Sequence, residues 1–268
     1  MAPKVLRQKI NISMFSKKKF FKGIMFHYFH DNQFFKKSPG SLSSKKLVKI
    51  IRKIGKKNIL DPLEFIEKIK NKSIKPYHVC FTFDDSLKSQ YKIALPVLKK
   101  FDIKSFFFIT TSILTKKPNL SEIYRFFRDN CFKNLNSYYS HFYKELYRSY
   151  SPKKINYFLN RNKIKIKKKH KIYSFYSLND IKFREIRDHF LNNKDYDKVM
   201  KKMFNKKKFN YKKKIKQLYL SKNEIKNISK HGHLIGLHSH MHPNIISNLT
   251  YNKQKEEFNT NKKILEKI

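Results

Sequence analysis

The chain has 268 residues, 40% of them apolar and 15% aromatic, enough to bury a core in one large domain or two small ones. Cys80 and Cys131 are its only cysteines, which excludes a disulfide-dense secreted module, and no apolar run reaches the length of a membrane-spanning helix. Lys+Arg 63 against Asp+Glu 19 gives a net charge of +44, yet the lysines are spread over the whole chain and come with abundant Asn, Ile, Phe and Tyr, a bias of A/T-rich codons rather than a surface selected for phosphate.

Residues 1–20 read as a basic leader without a signal-peptide pattern, so the expected compartment is the cytoplasm and the expected domain covers 21–268. Gly23 to His30 predicts a short strand running into a polar loop, Asp31 to Ser44, with Pro39-Gly40 as a turn. Ser43 and Ser44 offer an N-cap for a helix over Lys45–Ile54, whose Leu47, Ile50, Ile51 and Ile54 share one face. Asp61-Pro62 predicts another helix, with Asp61 as cap and Leu63, Phe65, Ile66 and Ile69 as the buried face. His78 to Phe83 is a compact apolar run ending in Asp84 and Asp85, a buried strand with a polar tip. A helix from Gln90 to Phe101, broken at Pro96, leads to a second apolar strand over Lys104–Thr110, a βα repeat with parallel strands.

From about 116 to 215 the periodicity becomes helical, with Lys165–Lys171 and Lys206–Lys208 as solvated loops or faces, which reads as a helical insertion. The α/β pattern returns at Ser221 to Glu224, which has capping-box spacing. A short helix to Lys230, a strand over Leu234–Leu237 and a last helix over Asn252–Ile268 complete the chain.

Two segments carry chemistry, and both lie where an apolar strand meets a loop, the place where parallel α/β folds build their sites. In Thr82-Phe83-Asp84-Asp85, adjacent carboxylates on an extended backbone point to opposite sides, so one is free to bind a metal while the other faces a reacting water. The plainer alternative is a helix cap beside a solvated acid. In His238-Ser239-His240-Met241-His242-Pro243, His238 and His242 are one helical turn apart, which places two imidazoles on one face. Two imidazoles with a carboxylate and an open position are the ligand set of catalytic zinc and related sites; a His-rich surface loop is the alternative.

Thr82-Phe83-Asp84-Asp85 and the later Gly232-His233-Leu234-Ile235-Gly236-Leu237-His238-Ser239-His240-Met241-His242-Pro243, with the βα context between them, resemble the polysaccharide deacetylase family, the NodB homology domain. The resemblance is clear over about 76–112 and 220–268. It implies an α/β fold, a distorted (β/α) barrel, and a metal-dependent hydrolase that removes N-acetyl or O-acetyl groups from a sugar or polysaccharide precursor. By position, it implies Asp84 as catalytic base, Asp85, His238 and His242 as metal ligands, and Ser239 as a brace for the His loop. The cofactor implied is a divalent metal, zinc foremost, and the partner a carbohydrate.

His27, His30 and Asp31 border the site in this reading without being assigned as ligands. Ser86 stands where the family usually has Gly or Asn. The family's later motifs, a loop that orients the base and a Leu-x-x-His segment that supplies the acid, find no counterpart before Ile268, so the expected barrel is incomplete at the carboxyl end. Two other readings stand beside the enzyme: an inactive relative that binds glycan or metal, and, less favoured, a basic nucleic-acid-binding protein, which requires Lys and aromatic residues gathered on one surface.

Overall fold

Four short runs of aromatic and branched residues become strands, and the run Cys80–Phe83 is the one buried on both faces. The computed structural model of the protein describes residues 22–268 apart from 32, 39 and 175, so the basic leader and Pro39 lie outside the described residues. β1 (Gly23–Phe26), β2 (Cys80–Phe83), β3 (Phe106–Ile109) and β4 (Leu234–Leu237) form one parallel sheet in the order β1-β2-β3-β4. Spatial order follows chain order without a reversal, which is the winding of a (β/α) barrel and not of a doubly wound sheet. The fold is α/β, a distorted and open barrel. Phe26, Phe83 and Phe107 lie side by side in register, and their rings stack at 5.3 and 4.7 Å between centroids. This aromatic row fixes the strands directly beneath the carboxyl-end loops.

The chain divides into two compact units, one from its two ends (to Asn119 and from Ile215), the other Leu120–Lys214. In the first, α1 (Ser44–Ile54) starts at Ser43, whose hydroxyl accepts from the Lys46 amide, and buries Leu47, Ile50, Ile51 and Ile54. α2 (Pro62–Lys70) has Pro62 in its first turn, but Asp61 does not cap it. The Asp61 carboxylate accepts instead from the Lys104 amide, and Leu63 is exposed while Phe65, Ile66 and Ile69 are half-buried. A π-helical turn over Gln90–Ala94 runs into α3 (Leu95–Lys100) without the expected break at Pro96. The wide turn accommodates a ring that has no N–H to give.

The second unit holds α4 (Ser121–Asn130), α5 (Leu135–Ser149), α6 (Pro152–Arg161), α7 (Lys163–Ile172), α8 (Leu178–Glu185) and α9 (Asn193–Lys206), around Phe127, Tyr138, Phe142 and Phe183. Lys165–Lys171 lie on α7 and not in a loop. After α10 (Tyr211–Leu218), α11 (Lys222–Lys230) opens with the full capping box of Ser221 and Glu224, and α12 (Tyr251–Leu265) follows β4. Among the described residues no helix is long and apolar enough to cross a membrane.

Candidate metal centre

Each strand delivers a polar residue at the first position past its carboxyl end: His27 after β1, Asp84 after β2, Thr110 after β3 and His238 after β4. The next residue, Asp85, is buried, and its Oδ1 lies 3.2 Å from His238 Nε2 and 3.3 Å from His242 Nε2. One ligand atom from each of Asp85, His238 and His242 falls within 4.8 Å of the others. The two imidazoles are 4.7 Å apart between centroids and tilted by 36°. Asp85 Oδ2 is 3.4 Å from His27 Nε2.

The His loop reaches this arrangement by a bend, not by the helical turn that the spacing of His238 and His242 predicts. Ser239 and His242 take the left-handed conformation, with φ of +59° and +52°, and the Ser239 hydroxyl accepts from the His242 amide at 3.1 Å. His240, between them, points elsewhere: its ring meets the Thr111 hydroxyl at 3.0 Å, and its carbonyl accepts from the Thr110 hydroxyl and the Ser112 amide. His30 pairs with Ser41, and the Asp31 carboxylate accepts from the amides of Gln33, Phe34 and Phe35. Of the three residues expected at the border, only His27 is in contact with Asp85.

Ser86 earns its place by stitching β2 to β3, its hydroxyl accepting from the Thr110 amide at 2.8 Å and donating to the Thr110 carbonyl at 3.3 Å. Asp85 and Ser86 are also left-handed, with φ of +72° and +56°. Non-glycine residues in this region cost about 1–3 kcal/mol each and persist where the surroundings over-determine them, commonly at functional sites. Gln90, fully buried, donates to the carbonyls of His27 and Asp84 and so ties the ends of β1 and β2 together. Neither Gln90 nor the buried Asn261 of α12 stood out in the sequence; the signal for each is a carboxamide on the inward face of a helix.

The two carboxyl groups titrate apart. Burial pushes Asp84 up to about 6, against the lowering charge of His238 and with the like charge of Asp85. Burial also acts to raise Asp85, but the hydrogen bond from His238 and the charges of His27, His242 and His238 hold it down at about 2. His238 is raised, its burial outweighed by Asp85 and then Asp84, whereas burial lowers His242. Asp84 Oδ1 is buried and makes no hydrogen bond, which leaves it free to take a proton.

A carboxylate oxygen and two imidazole nitrogens converging from two loops match the donor set of catalytic zinc and related divalent ions. Asp85, His238 and His242 therefore fit a divalent cation, and the donor set alone does not separate zinc from its neighbours.

The sequence model of the family described as polysaccharide deacetylase matches residues 71–173 and 184–268, well over half of the chain. No curated protein matches the sequence. Among solved structures, the chain is similar to the deacetylase PplD of Streptococcus pyogenes in complex with acetate, at 15% identity and a TM-score of 0.46, over 92% of this chain and 68% of that one. It is also similar to a de-N-acetylase from Aggregatibacter actinomycetemcomitans, at 18% identity and a TM-score of 0.31, over 35% of this chain and 38% of that one.

Proposed function

This chain belongs to the polysaccharide deacetylase family, and we propose that it is a metal-dependent hydrolase that removes N-acetyl or O-acetyl groups from a sugar or polysaccharide precursor. The observation that carries the reading is the convergence of Asp85, His238 and His242 beside the buried, unbonded Oδ1 of Asp84. Asp85, His238 and His242 would hold a divalent cation, most naturally zinc, which supplies Lewis acidity for the acetyl carbonyl and acidifies water.

Asp84 acts as the general base. Its carboxylate takes the proton from water as the oxygen attacks the acetyl carbon, then returns that proton to the sugar nitrogen or oxygen as its bond to the acetyl carbon breaks; a group poised at about 6 is ionised yet basic enough at neutral pH. The Phe26 carbonyl, which accepts from the Asp84 amide at 3.1 Å, and the Gln90 side chain hold its backbone in place. Ser239 braces the bend that presents the two imidazoles.

The test is acetate release from N-acetylglucosamine oligomers by protein stripped with a chelator and reloaded with zinc or cobalt. The expected result is release only when loaded. Release that survives both chelation and Asp85→Ala overturns the proposal. Metal uptake with no acetate released from any acetylated glycan identifies a binding relative in place of an enzyme.

A further inference from the structure

We propose that Asn261 is a positioning residue for the metal centre: its buried carboxamide sets the backbone that presents His238 and His242 to Asp85. The inference rests on reading Asp85, His238 and His242 as cation ligands. Asn261 is fully buried on α12. Its Oδ1 accepts from the His238 amide at 3.2 Å, and its Nδ2 donates to the Ser239 carbonyl at 2.7 Å, the Ile109 carbonyl at 2.8 Å and the Thr111 hydroxyl at 3.1 Å.

One side chain thus grips the segment His238-Ser239 from both ends and fastens it to the end of β3. The register of β3 with β4 stops at Ile109 opposite Leu237, and beyond it the ladder adds only the 3.3 Å bond from the His238 amide to the Ile109 carbonyl. Past that point one backbone bond, from the Ser112 amide to the His240 carbonyl, and several side chains hold the loop. The left-handed backbone of Ser239 and His242 needs such fixing, because strained residues relax unless their neighbours prevent it. Glu257, one turn earlier on α12, accepts from the Met241 amide at 2.7 Å, so the helix holds the His loop at two points.

A carboxamide both accepts and donates, and neither a carboxylate nor an alkyl group of the same shape does. Asn261→Leu leaves the His238 N–H and the Ile109 and Ser239 carbonyls without this partner, whereas Asn261→Asp aims negative charge at two carbonyl oxygens. In both variants the ligand atoms remain and their aim is lost.

The experiment compares wild type, Asn261→Leu and a stability control, Leu47→Ala, whose buried side chain lies on α1. Cobalt(II) affinity is measured by calorimetry, and the visible spectrum of the cobalt-loaded protein is recorded well below each melting temperature. Asn261→Leu is expected to weaken cobalt binding by about 10–100-fold and to alter the spectrum, as loss of an orienting partner does. Leu47→Ala is expected to lower the melting temperature but to keep the affinity within about twofold. If Asn261→Leu does not fold, Asn261→Ser, which fits the same space, carries the comparison. Wild-type affinity and spectrum in the Asn261 variant overturn the positioning role. Wild-type protein that takes up no cobalt overturns the ligand reading itself, and with it this proposal.

Discussion

The helical unit and the loops at the carboxyl ends of the strands treat their buried or half-buried carboxylates in opposite ways, while elsewhere in the sheet unit Glu224 pairs with Lys88 as the helical unit's acids do. In the helical unit, Glu145 meets Arg148 and Lys206, Glu185 meets Lys165 and Lys169, and Asp129 meets Arg125 and Arg128. Asp180 and Asp197 accept from the hydroxyls of Tyr139 and Tyr124. In the sheet unit, Asp84 and Asp85 have no Lys or Arg within ion-pair distance among the described residues. Asp85 faces only imidazoles. With Lys+Arg 63 in the chain, scarcity of cations does not explain this. An acid clamped by lysine or arginine is spent on the fold, whereas an acid left to imidazoles keeps lone pairs for a metal or a proton.

The largest effect that tests this contrast is the loss of Asp85. Asp85→Ala removes the group on which His27, His238 and His242 converge, and it is expected to abolish metal retention, read by elemental analysis after gel filtration, together with acetate release. Asp84→Asn is expected to keep the metal and lower kcat by about 10²–10⁴-fold, the usual range for a lost general base. Loss of metal in Asp84→Asn, with the fold intact by circular dichroism, would merge the two roles proposed for Asp84 and Asp85.

The strands were the most legible part of the fold, because in a parallel sheet a buried strand is a continuous apolar run. Phe81 to Phe83 and Leu234 to Leu237 sit on the strands read from them. The capping box at Ser221 and Glu224 was legible because its partners lie three residues apart. Asp61 shows the limit: its local signal is that of a cap, but the amide it binds belongs to Lys104, brought near only by the fold. At the site, the four-residue spacing of His238 and His242 suggests neighbours on a helix, while the backbone makes them neighbours through a bend. Gln90 and Asn261 left only a faint trace, a carboxamide on an inward helix face, since the groups they bind, such as the carbonyls of His27 and Ile109, are distant in sequence.

Buried imidazole in the sheet unit offers a third, smaller effect. His233 accepts from the Ser105 amide through Nδ1, packs its edge on Phe107, and is lowered to about 4 by burial, then by the charges of Lys104 and His231. Between about 6.5 and 4 the unfolded chain therefore binds more protons here than the native one, and stability falls as pH falls. The loss from this group reaches about 3 kcal/mol by pH 4 and levels off about one pH unit lower. His233→Asn keeps an acceptor for the Ser105 amide without the titration, so its urea midpoint is expected to fall less than that of wild type from pH 7 to 5. Parallel slopes would place the acid sensitivity elsewhere.

The smallest expected effect tests the other side of the contrast. Tyr139 and Asp180 are both buried in the helical unit, and the tyrosine hydroxyl donates to the carboxylate. Tyr139→Phe keeps the ring and its packing against Phe183 but removes that donor, leaving the Asp180 carboxylate with the Ser177 hydroxyl at 3.3 Å. A buried acceptor deprived of one partner costs about 1–3 kcal/mol, and the remaining bond from the Ser177 hydroxyl places this variant toward the lower end. If acids of this unit serve the fold alone, cobalt affinity and kcat stay at their wild-type values while the urea midpoint drops. A shift in cobalt affinity with Tyr139→Phe would mean that paired and unpaired acids do not separate structure from chemistry in this chain.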